Sequence, residues 1–263
     1  MLEKQLLKKF ISQWRCWNLD ISDTPTVLKK LDKGLTNDSW LIKSDKNLYV
    51  LRINKKSDLW ETNRSNENKI QGLAHSLGLA AQVIYNSPKY EYRITEYLRE
   101  KENIKKDCLT EREISSLLNG VNQLKKININ LPYINYSDQL FHYWGIYTSN
   151  IKPSTVEIEE FKKRIQQCNN YEKNFGKELS ICHHDLNKDN VIFESSSRDS
   201  VKFLDWEFCR IGIKSFDFAS LVCEFNFDFK NIKKFTRIDE AELKEAIKTY
   251  QSICKYYVLA LKS

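Results

Sequence analysis

The sequence predicts an α+β fold of two lobes, a small β-rich lobe over residues 1–98 and a larger, mainly helical lobe over residues 99–263. Two observations carry this prediction. The first hundred residues hold short apolar runs separated by turn-forming residues, whereas apolar residues recur mostly at helical spacing after Glu100. The chain has 263 residues, which is ample for one large domain or for two small lobes with real cores.

The N-terminal lobe is predicted to open with a helix, since apolar residues between Leu2 and Trp14 recur at helical spacing. A second helix is expected from about Glu61 to Leu77, with Gly78 ending it. Strand-like runs bounded by turn residues account for the rest of this lobe. These runs are 26–33, 40–43, 48–53, 81–85 and 92–98.

The C-terminal lobe is predicted to begin with a helix over 110–126, where Thr110 and Glu113 have the spacing of a capping box. A second, charged amphipathic helix is expected over 157–175. The elements that follow are a short buried strand at 179–182, a polar run at 183–190, and a hairpin of strands at 191–193 and 201–204.

Composition excludes several classes of protein. Apolar residues make up 41% of the chain and charged residues 29%, which is typical of a globular protein and not of a disordered one. The uncharged apolar stretches are far shorter than the ~18 residues of a transmembrane helix, so no membrane insertion is expected. The seven cysteines form no CxxC pair and no His/Cys cluster. This spacing argues against a zinc site and favours reduced thiols in the cytoplasm.

The formal net charge of +7 raises the question of a nucleic-acid partner. The lysines, however, occur in dispersed pairs without interleaved aromatic residues, which is typical of a solvated surface. Residues 183–228 hold nine acidic and five basic residues, so this segment alone carries a net charge of −4. We therefore expect neither a nucleic acid nor a membrane as partner, and an acidic site within this segment.

The most informative segment is the polar run His183-His184-Asp185-Leu186-Asn187-Lys188-Asp189-Asn190, which a hairpin separates from Asp205. Phosphoryl transfer to an alcohol needs a carboxylate at the attacking hydroxyl and oxygen ligands that hold Mg²⁺ against the phosphates. Asp185 would supply the carboxylate, and Asn190 and Asp205 would supply the ligands. An ordinary polar surface loop is the blander explanation, but such a loop has no need to combine these groups.

Other motifs accompany this run in a fixed order along nearly the whole chain. They are Gly34-Leu35-Thr36-Asn37, Tyr49-Val50-Leu51-Arg52, Arg64-Ser65-Asn66-Glu67, Ile94-Thr95-Glu96-Tyr97-Leu98 and Phe216-Asp217-Phe218-Ala219. Together with the 183–190 run and Asp205, they resemble the aminoglycoside phosphotransferase and choline kinase superfamily of small-molecule kinases. The resemblance is nearest to the bacterial choline/ethanolamine kinase and thiamine kinase branches, and it implies a two-lobed, protein-kinase-like fold.

The resemblance also implies ATP and Mg²⁺ as cofactors, with Asp217 supporting the catalytic loop. The nucleotide-binding residues that it implies are Gly34, Thr36 and Asn37 at the phosphates, Arg52 with its ion-pair partner Glu67, and the backbones of Glu96 and Leu98 at adenine. Taken alone, Gly34 would be an ordinary hairpin glycine, and the Arg52 and Glu67 pair would be an ordinary surface ion pair. The ordered set of motifs favours the nucleotide roles.

The catalytic residues predicted in this way are Asp185 and His183, although a histidine in such a loop more often bonds the backbone near the metal. Glu207, Glu224 and Trp206 are predicted to contact the substrate, because an acidic, aromatic-rich pocket suits a quaternary ammonium or thiazolium cation. Taken singly, an aromatic residue here is better explained by core packing.

The predicted activity is ATP-dependent phosphorylation of the primary hydroxyl of a small cationic alcohol. Residues 216–225 are similar to the choline kinase stretch that ends in C-E-[WF], which favours choline or ethanolamine. Thiamine is the alternative acceptor, and an aminoglycoside is a third. A nucleotide-binding relative without activity is a further alternative, whereas the absence of D-F-G and A-P-E disfavours a protein kinase. The protein is expected to be a monomer or a homodimer.

Overall fold

The computed structural model describes residues 2–19, 21–31, 37–55, 62–102, 104–195 and 200–263. Its N-terminal part is an antiparallel sheet of five strands in the order β1-β2-β3-β5-β4. The strands are β1 (Thr26–Leu31), β2 (Asn37–Ser44), β3 (Asn47–Asn54), β4 (Val83–Asn86) and β5 (Tyr92–Glu96). All five predicted strands are therefore present, with slightly different ends.

The two faces of this sheet have different roles, because side chains alternate along each strand. On one face, Leu51 and Tyr92 pack with Phe10 and with neighbouring tryptophans of the segment that begins with helix α1 (Leu2–Ile11). The ring of Tyr92 is stacked on that of Phe10 at 4.4 Å. On the opposite face, Arg52 of β3 and Arg93 of β5 lie directly across from each other and line a cavity.

Helix α2 (Arg64–Ser76) follows the third strand and carries Glu67 in its first turn. The Asn63 side chain caps it by accepting the N–H of Asn66 at 3.0 Å, and Gly78 follows its end with φ at +75°. The predicted stop at Gly78 is confirmed, whereas the predicted start at Glu61 lies outside the described residues.

The C-terminal part is mainly helical, and its core is continuous with Ile70 and Ala74 of α2. The capping box of Thr110 and Glu113 is present, as predicted. Helix α8 packs against α4, α5 and α6, and together they form much of this core. The helices are α3 (Glu111–Gln123), α4 (Tyr136–Asn150), α5 (Thr155–Phe175), α6 (Ser215–Phe225), α7 (Phe229–Phe235) and α8 (Glu240–Lys262).

Two small antiparallel ribbons stand between α5 and α6. One pairs β6 (Leu179–Cys182) with β9 (Arg210–Ile213), and the other is the predicted hairpin of β7 (Val191–Phe193) and β8 (Val201–Phe203). The polar run 183–190 connects the two ribbons, and Asp205 follows β8. The ribbons therefore position the predicted catalytic and metal-binding residues.

The segregation of sheet and helices along the chain confirms the α+β class. The boundary between lobes at residues 98 and 99 stays a prediction. All seven cysteines are free thiols, as their spacing led us to expect. In the part of the chain that the structure describes, no helix combines the length and the apolar character needed to cross a bilayer.

Candidate active site

The predicted catalytic loop, residues 183–190, is anchored at its start by Asp217 in the first turn of α6. This carboxylate accepts the backbone N–H of His183 at 2.7 Å and that of His184 at 2.9 Å. Burial raises the pKa of Asp217 to about 6, although these two hydrogen bonds lower it. Asp217 thus fixes the backbone immediately before Asp185, which agrees with its predicted supporting role.

A close approach of Gly212 on β9 to His184 and Tyr136 also shapes this turn. His184 has a left-handed backbone with φ at +65°, and its Nε2 lies 3.2 Å from the hydroxyl of Tyr136. A Cβ at Gly212 would come within 2.5 Å of that Nε2 and within 2.7 Å of that hydroxyl. Only glycine fits at position 212 without displacing the residue next to Asp185.

Asp185 lies at the centre of a small hydrogen-bond network within the loop. Asn187 donates its side-chain N–H to Asp185 Oδ1 at 3.0 Å, and Asn190 donates to Oδ2 at 2.6 Å. Burial and the nearby negative charge of Asp205 raise the pKa of Asp185 to about 8, although these two amides lower it. The carboxyl group is therefore held in place and has a high affinity for a proton.

Asp205 links the helical part of the protein to the sheet. Its backbone is left-handed with φ at +59°, a costly conformation that clusters at functional sites. Its carboxylate accepts Nη1 of Arg52 at 3.0 Å, while Nη2 of Arg52 bonds Glu67 at 2.5 Å. Burial and the charge of Glu207 raise the pKa of Asp205 to about 6, against the opposing effect of Arg52.

Glu67 is buried among three guanidinium groups. Arg52 contacts it at 2.5 Å, and Arg64 and Arg93 each contact it at 2.8 Å. Burial raises the pKa of this carboxylate, but the three positive charges outweigh that effect and hold its pKa at about 2. The Arg52 and Glu67 pair is thus a buried, extended network and not a surface ion pair.

The residues predicted to bind Mg²⁺ fit that ion chemically. The side-chain nitrogen of Asn190 donates to the backbone carbonyl and to the carboxylate of Asp185. The amide oxygen is therefore the atom that can bind a metal ion. Among the described residues there is no cluster of three or more acidic, histidine or cysteine side chains that could hold a metal. Mg²⁺ commonly uses one or two carboxylates together with substrate phosphates, which matches Asp205 and the Asn190 oxygen.

A cavity of about 370 Å³ lies between the sheet and the catalytic loop. It is lined by six of the predicted site residues: Asn37, Arg52, Glu96, Leu98, Asn190 and Asp205. Glu67 stands behind Arg52, and Gly34 and Thr36 lie outside the described residues. The backbone N–H of Glu96 donates to the carbonyl of Gln82 at 3.0 Å, so this N–H is not free for adenine.

Two predicted site residues have other surroundings than expected. His183 is fully buried, packs edge-on against Trp206 at 4.8 Å, and has its pKa lowered to about 3 by burial. The structure therefore corrects its catalytic assignment to a packing one. Trp206 is 1% exposed and donates its indole N–H to the carbonyl of Phe203, so it belongs to the core and cannot contact a substrate.

Glu207 is 3% exposed and faces the sheet, where it accepts Arg64 at 2.7 Å and the side chain of Asn37 at 3.2 Å. These bonds connect it to the nucleotide side of the site, so the structure does not support its predicted substrate contact. Glu224 is half-buried on α6 and accepts the hydroxyl of Tyr250 on α8 at 3.0 Å.

Sequence reasoning missed the contribution of α8 to the site. Tyr257 of α8 packs edge-to-face with Tyr143 of α4, with ring centroids 5.5 Å apart. Burial raises the pKa of Tyr257 to about 12, and the negative charges of Asp185, Glu207 and Asp205 raise it further. No motif marks this helix, and only its apolar periodicity could have revealed it.

Comparison with known proteins gives concordant results. A family model described as choline/ethanolamine kinase matches residues 28–263. The curated choline kinase B1 of Caenorhabditis elegans is 30% identical over 119 residues, a stretch that makes up 41% of this chain and 32% of that protein. The match thus spans about a third of the length of the curated relative.

Solved structures share the whole fold at low identity. Choline kinase LicA from Streptococcus pneumoniae has a TM-score of 0.76 and 17% identity, over 97% of this chain and 89% of that one. A second LicA structure, in complex with AMP, has a TM-score of 0.76 and 15% identity, over 98% and 90%. The streptomycin–ATP complex of APH(2″)-IIa has a TM-score of 0.64 and 17% identity, over 95% and 89%. The predicted kinase-like fold is confirmed.

Proposed function

The chain belongs to the choline/ethanolamine kinase family of small-molecule kinases, and we propose that it transfers the γ-phosphoryl group of ATP to the hydroxyl of choline or ethanolamine. One observation carries this proposal. The cavity runs from the segment of Glu96 and Leu98 to Asn190 and Asp205, and Asp185 is bonded to Asn190 at its far end. A nucleotide that lies along it would bring its terminal phosphate to the catalytic loop.

Asp185 is the proposed base. Asn187 and Asn190 orient its carboxyl group, so the hydroxyl of an acceptor would meet a carboxyl oxygen in a fixed position. Its raised pKa increases its affinity for the proton that the hydroxyl loses during transfer. Positioning supplies much of the acceleration in phosphoryl transfer, and no covalent phosphoenzyme is needed.

Asn190 and Asp205 are the proposed ligands of Mg²⁺, which when bound supplies positive charge against the β- and γ-phosphates. Arg52 is the proposed phosphate-binding cation of the sheet. Its guanidinium group is held by Glu67, Asp205 and Asn54, which leaves one N–H on each terminal nitrogen, and Arg52 lines the cavity. Adenine is proposed to pair with the backbone of the Glu96 to Leu98 segment.

The acceptor is proposed to lie on the other side of Asp185, against α6 and α8. Glu224 supplies a carboxylate there, and Tyr143 and Tyr257 supply aromatic surface near Asp185. An aromatic face attracts a desolvated ammonium group by about 0.5–2 kcal/mol, and the carboxylate adds to this attraction. Choline and ethanolamine are small enough to place their cation there and their hydroxyl at Asp185.

An ADP-release assay tests the proposal, with choline, ethanolamine, thiamine, aminoglycosides and simple sugars as acceptors and with Mg²⁺ present. Choline or ethanolamine should give the highest kcat/KM, and the Asp185→Ala variant should lose turnover while it keeps its fold and binds AMP. The exposed residue Asp23 offers a control, since Asp23→Ala should behave like the wild type. If thiamine or an aminoglycoside gave the highest kcat/KM, the proposed acceptor would be wrong. An active Asp185→Ala variant would reject the mechanism.

The role of Glu224 can be tested separately. The Glu224→Gln variant should raise KM for the cationic acceptor by about tenfold and leave KM for ATP unchanged, since the carboxylate lies on the acceptor side. An unchanged KM for both substrates would remove Glu224 from the acceptor site. We also propose a cytoplasmic location, because the seven thiols are free and two of them are exposed.

A further inference from the structure

The segment that follows the Glu96 to Leu98 segment runs alongside the hairpin of β7 and β8. Lys101 donates its backbone N–H to Phe193 of β7 at 2.7 Å, and Ser195 donates to the carbonyl of Arg99 at 3.0 Å. The backbone at Arg99 and Lys101 is therefore bound to β7 and to the residue that follows Glu194. We call residues 99–107 the hinge linker, with residue 103 outside the described part of the chain.

Lys106 of the hinge linker is a partly buried lysine whose ammonium group bonds two backbone carbonyls and forms an ion pair. Its Nζ lies 2.7 Å from the carbonyl oxygen of Lys188, 2.6 Å from that of Val191 and 2.5 Å from Oε1 of Glu100. The Lys106 side chain is 12% exposed. Two of its N–H donors bond the two backbone carbonyls, and its positive charge is paired with the carboxylate of Glu100.

The two carbonyl groups flank Asn190: Lys188 precedes it by two residues, and Val191 follows it directly. Asn190 itself donates to Asp185, and its own carbonyl accepts the N–H of Leu204 at 2.8 Å. Lys106 therefore ties together the two ends of the short turn from which Asn190 projects. A hydrogen bond from a charged donor to a backbone carbonyl is stronger than one from a neutral donor, so these two bonds restrict the motion of the turn.

We propose that Lys106 is a positioning residue, which holds the Asn190 turn in the geometry needed for metal binding and for orienting Asp185. The metal-binding part of this inference rests on the proposed function. The exposed pair of Lys188 and Asp107 joins the same two segments, but Asp107 is 80% exposed and its ion pair contributes little. Lys106 is thus the principal side-chain connection between the hinge linker and this turn in the described residues.

Hydrogen exchange of the catalytic loop tests the structural half of the proposal without metal or substrate. In the Lys106→Met variant, amides of the peptide 186–193 should exchange about tenfold faster than in the wild type, because two carbonyls lose their donor. The matched control is Lys105→Met, which removes the neighbouring exposed lysine and should leave exchange in this peptide unchanged. Equal exchange in the wild type and Lys106→Met would overturn the proposal.

Enzyme kinetics and nucleotide binding test the functional half. The Lys106→Met variant should need about tenfold more Mg²⁺ for half-maximal rate and should have a lower kcat, while its metal-free affinity for AMP stays within about twofold of wild type. A role in overall stability alone would lower activity without moving the Mg²⁺ midpoint, and that result would also overturn the proposal.

A second variant covers the case in which Lys106→Met fails to fold. Lys106→Gln keeps two N–H donors without the charge, so it should fold and show the same changes to a smaller degree; wild-type exchange and Mg²⁺ dependence in it would reject the proposal. If the wild-type protein phosphorylates none of the acceptors, the proposed function fails. The exchange experiment still decides the role of Lys106 in that case.

Discussion

Replacing Glu67 by glutamine should destabilise the protein strongly at neutral pH, because it removes the negative charge that Arg52, Arg64 and Arg93 all contact. Arg52, Arg64 and Arg93 contact Glu67 at 2.5, 2.8 and 2.8 Å, and its side chain is 2% exposed. Glutamine preserves the shape but leaves three guanidinium groups close together with one compensating charge fewer. Breaking a buried ion pair in this way typically costs ~3–5 kcal/mol.

The pKa of Glu67 gives an independent magnitude for this loss. Its fall from 4.5 to about 2 corresponds to about 3 kcal/mol of stability at about 1.4 kcal/mol for each pH unit. Because the pKa is lower in the folded protein, this contribution is complete above pH 4.5 and is lost as the pH falls towards 2. The difference between wild type and Glu67→Gln should therefore be constant from pH 8 to 6 and smaller by roughly 1 kcal/mol at pH 4.

Urea unfolding followed by tryptophan fluorescence measures this difference at each pH. Glu160→Gln is the control, because Glu160 also has two basic partners, Arg164 and Lys255, but its side chain is 34% exposed. Exposed pairs contribute about 0–1 kcal/mol, so this variant should unfold nearly as the wild type does. A Glu67→Gln effect below about 1 kcal/mol at pH 7 would refute the assignment of the network as a strong buried one.

Three further outcomes are expected. Gly212→Ala should lower the free energy of unfolding by about 1–3 kcal/mol and lower kcat, because its added Cβ would strike His184. Gly145→Ala is the control: no atom lies within 4 Å of its added Cβ, so it should not destabilise the protein. Asp217→Asn should lower kcat by about tenfold without changing AMP affinity, because it loses one of two bonds to the catalytic loop; an unchanged kcat would contradict this. Asp205→Asn should abolish turnover yet tighten metal-free ADP binding, which calorimetry measures.

Local patterns predicted the parts of the fold that short segments determine. The capping box of Thr110 and Glu113 and the stop at Gly78 depend on residues within one helical turn, and both are present. The polar run ending at Asn190 and the hairpin before Asp205 are also local, so their spacing was sufficient to bring both residues to one cavity.

Pairings between distant residues could not be predicted in this way. Glu207 and Arg64 are 143 positions apart, and nothing near either residue indicates that the other will be its partner. The local sequence therefore predicts a substrate contact for Glu207 that its buried, sheet-facing position does not favour. Trp206 and His183 show a second limit, since an aromatic or imidazole ring beside a catalytic loop has the same local sequence whether it packs in the core or faces a ligand.

The arrangement around Arg52 explains why the Asp205→Asn substitution should strengthen metal-free ADP binding and yet abolish turnover. Arg52 lines the cavity and is paired with Asp205, whose carboxylate also lines it. A phosphate that approaches Arg52 is attracted by the guanidinium group and repelled by that carboxylate. Without a divalent cation, the Asp205→Asn variant removes the repulsion, so ADP should bind more tightly. With Mg²⁺, the same carboxylate becomes favourable, so the variant should lose the gain in affinity that Mg²⁺ gives the wild type. A variant that kept this gain would show that Asp205 is not a ligand.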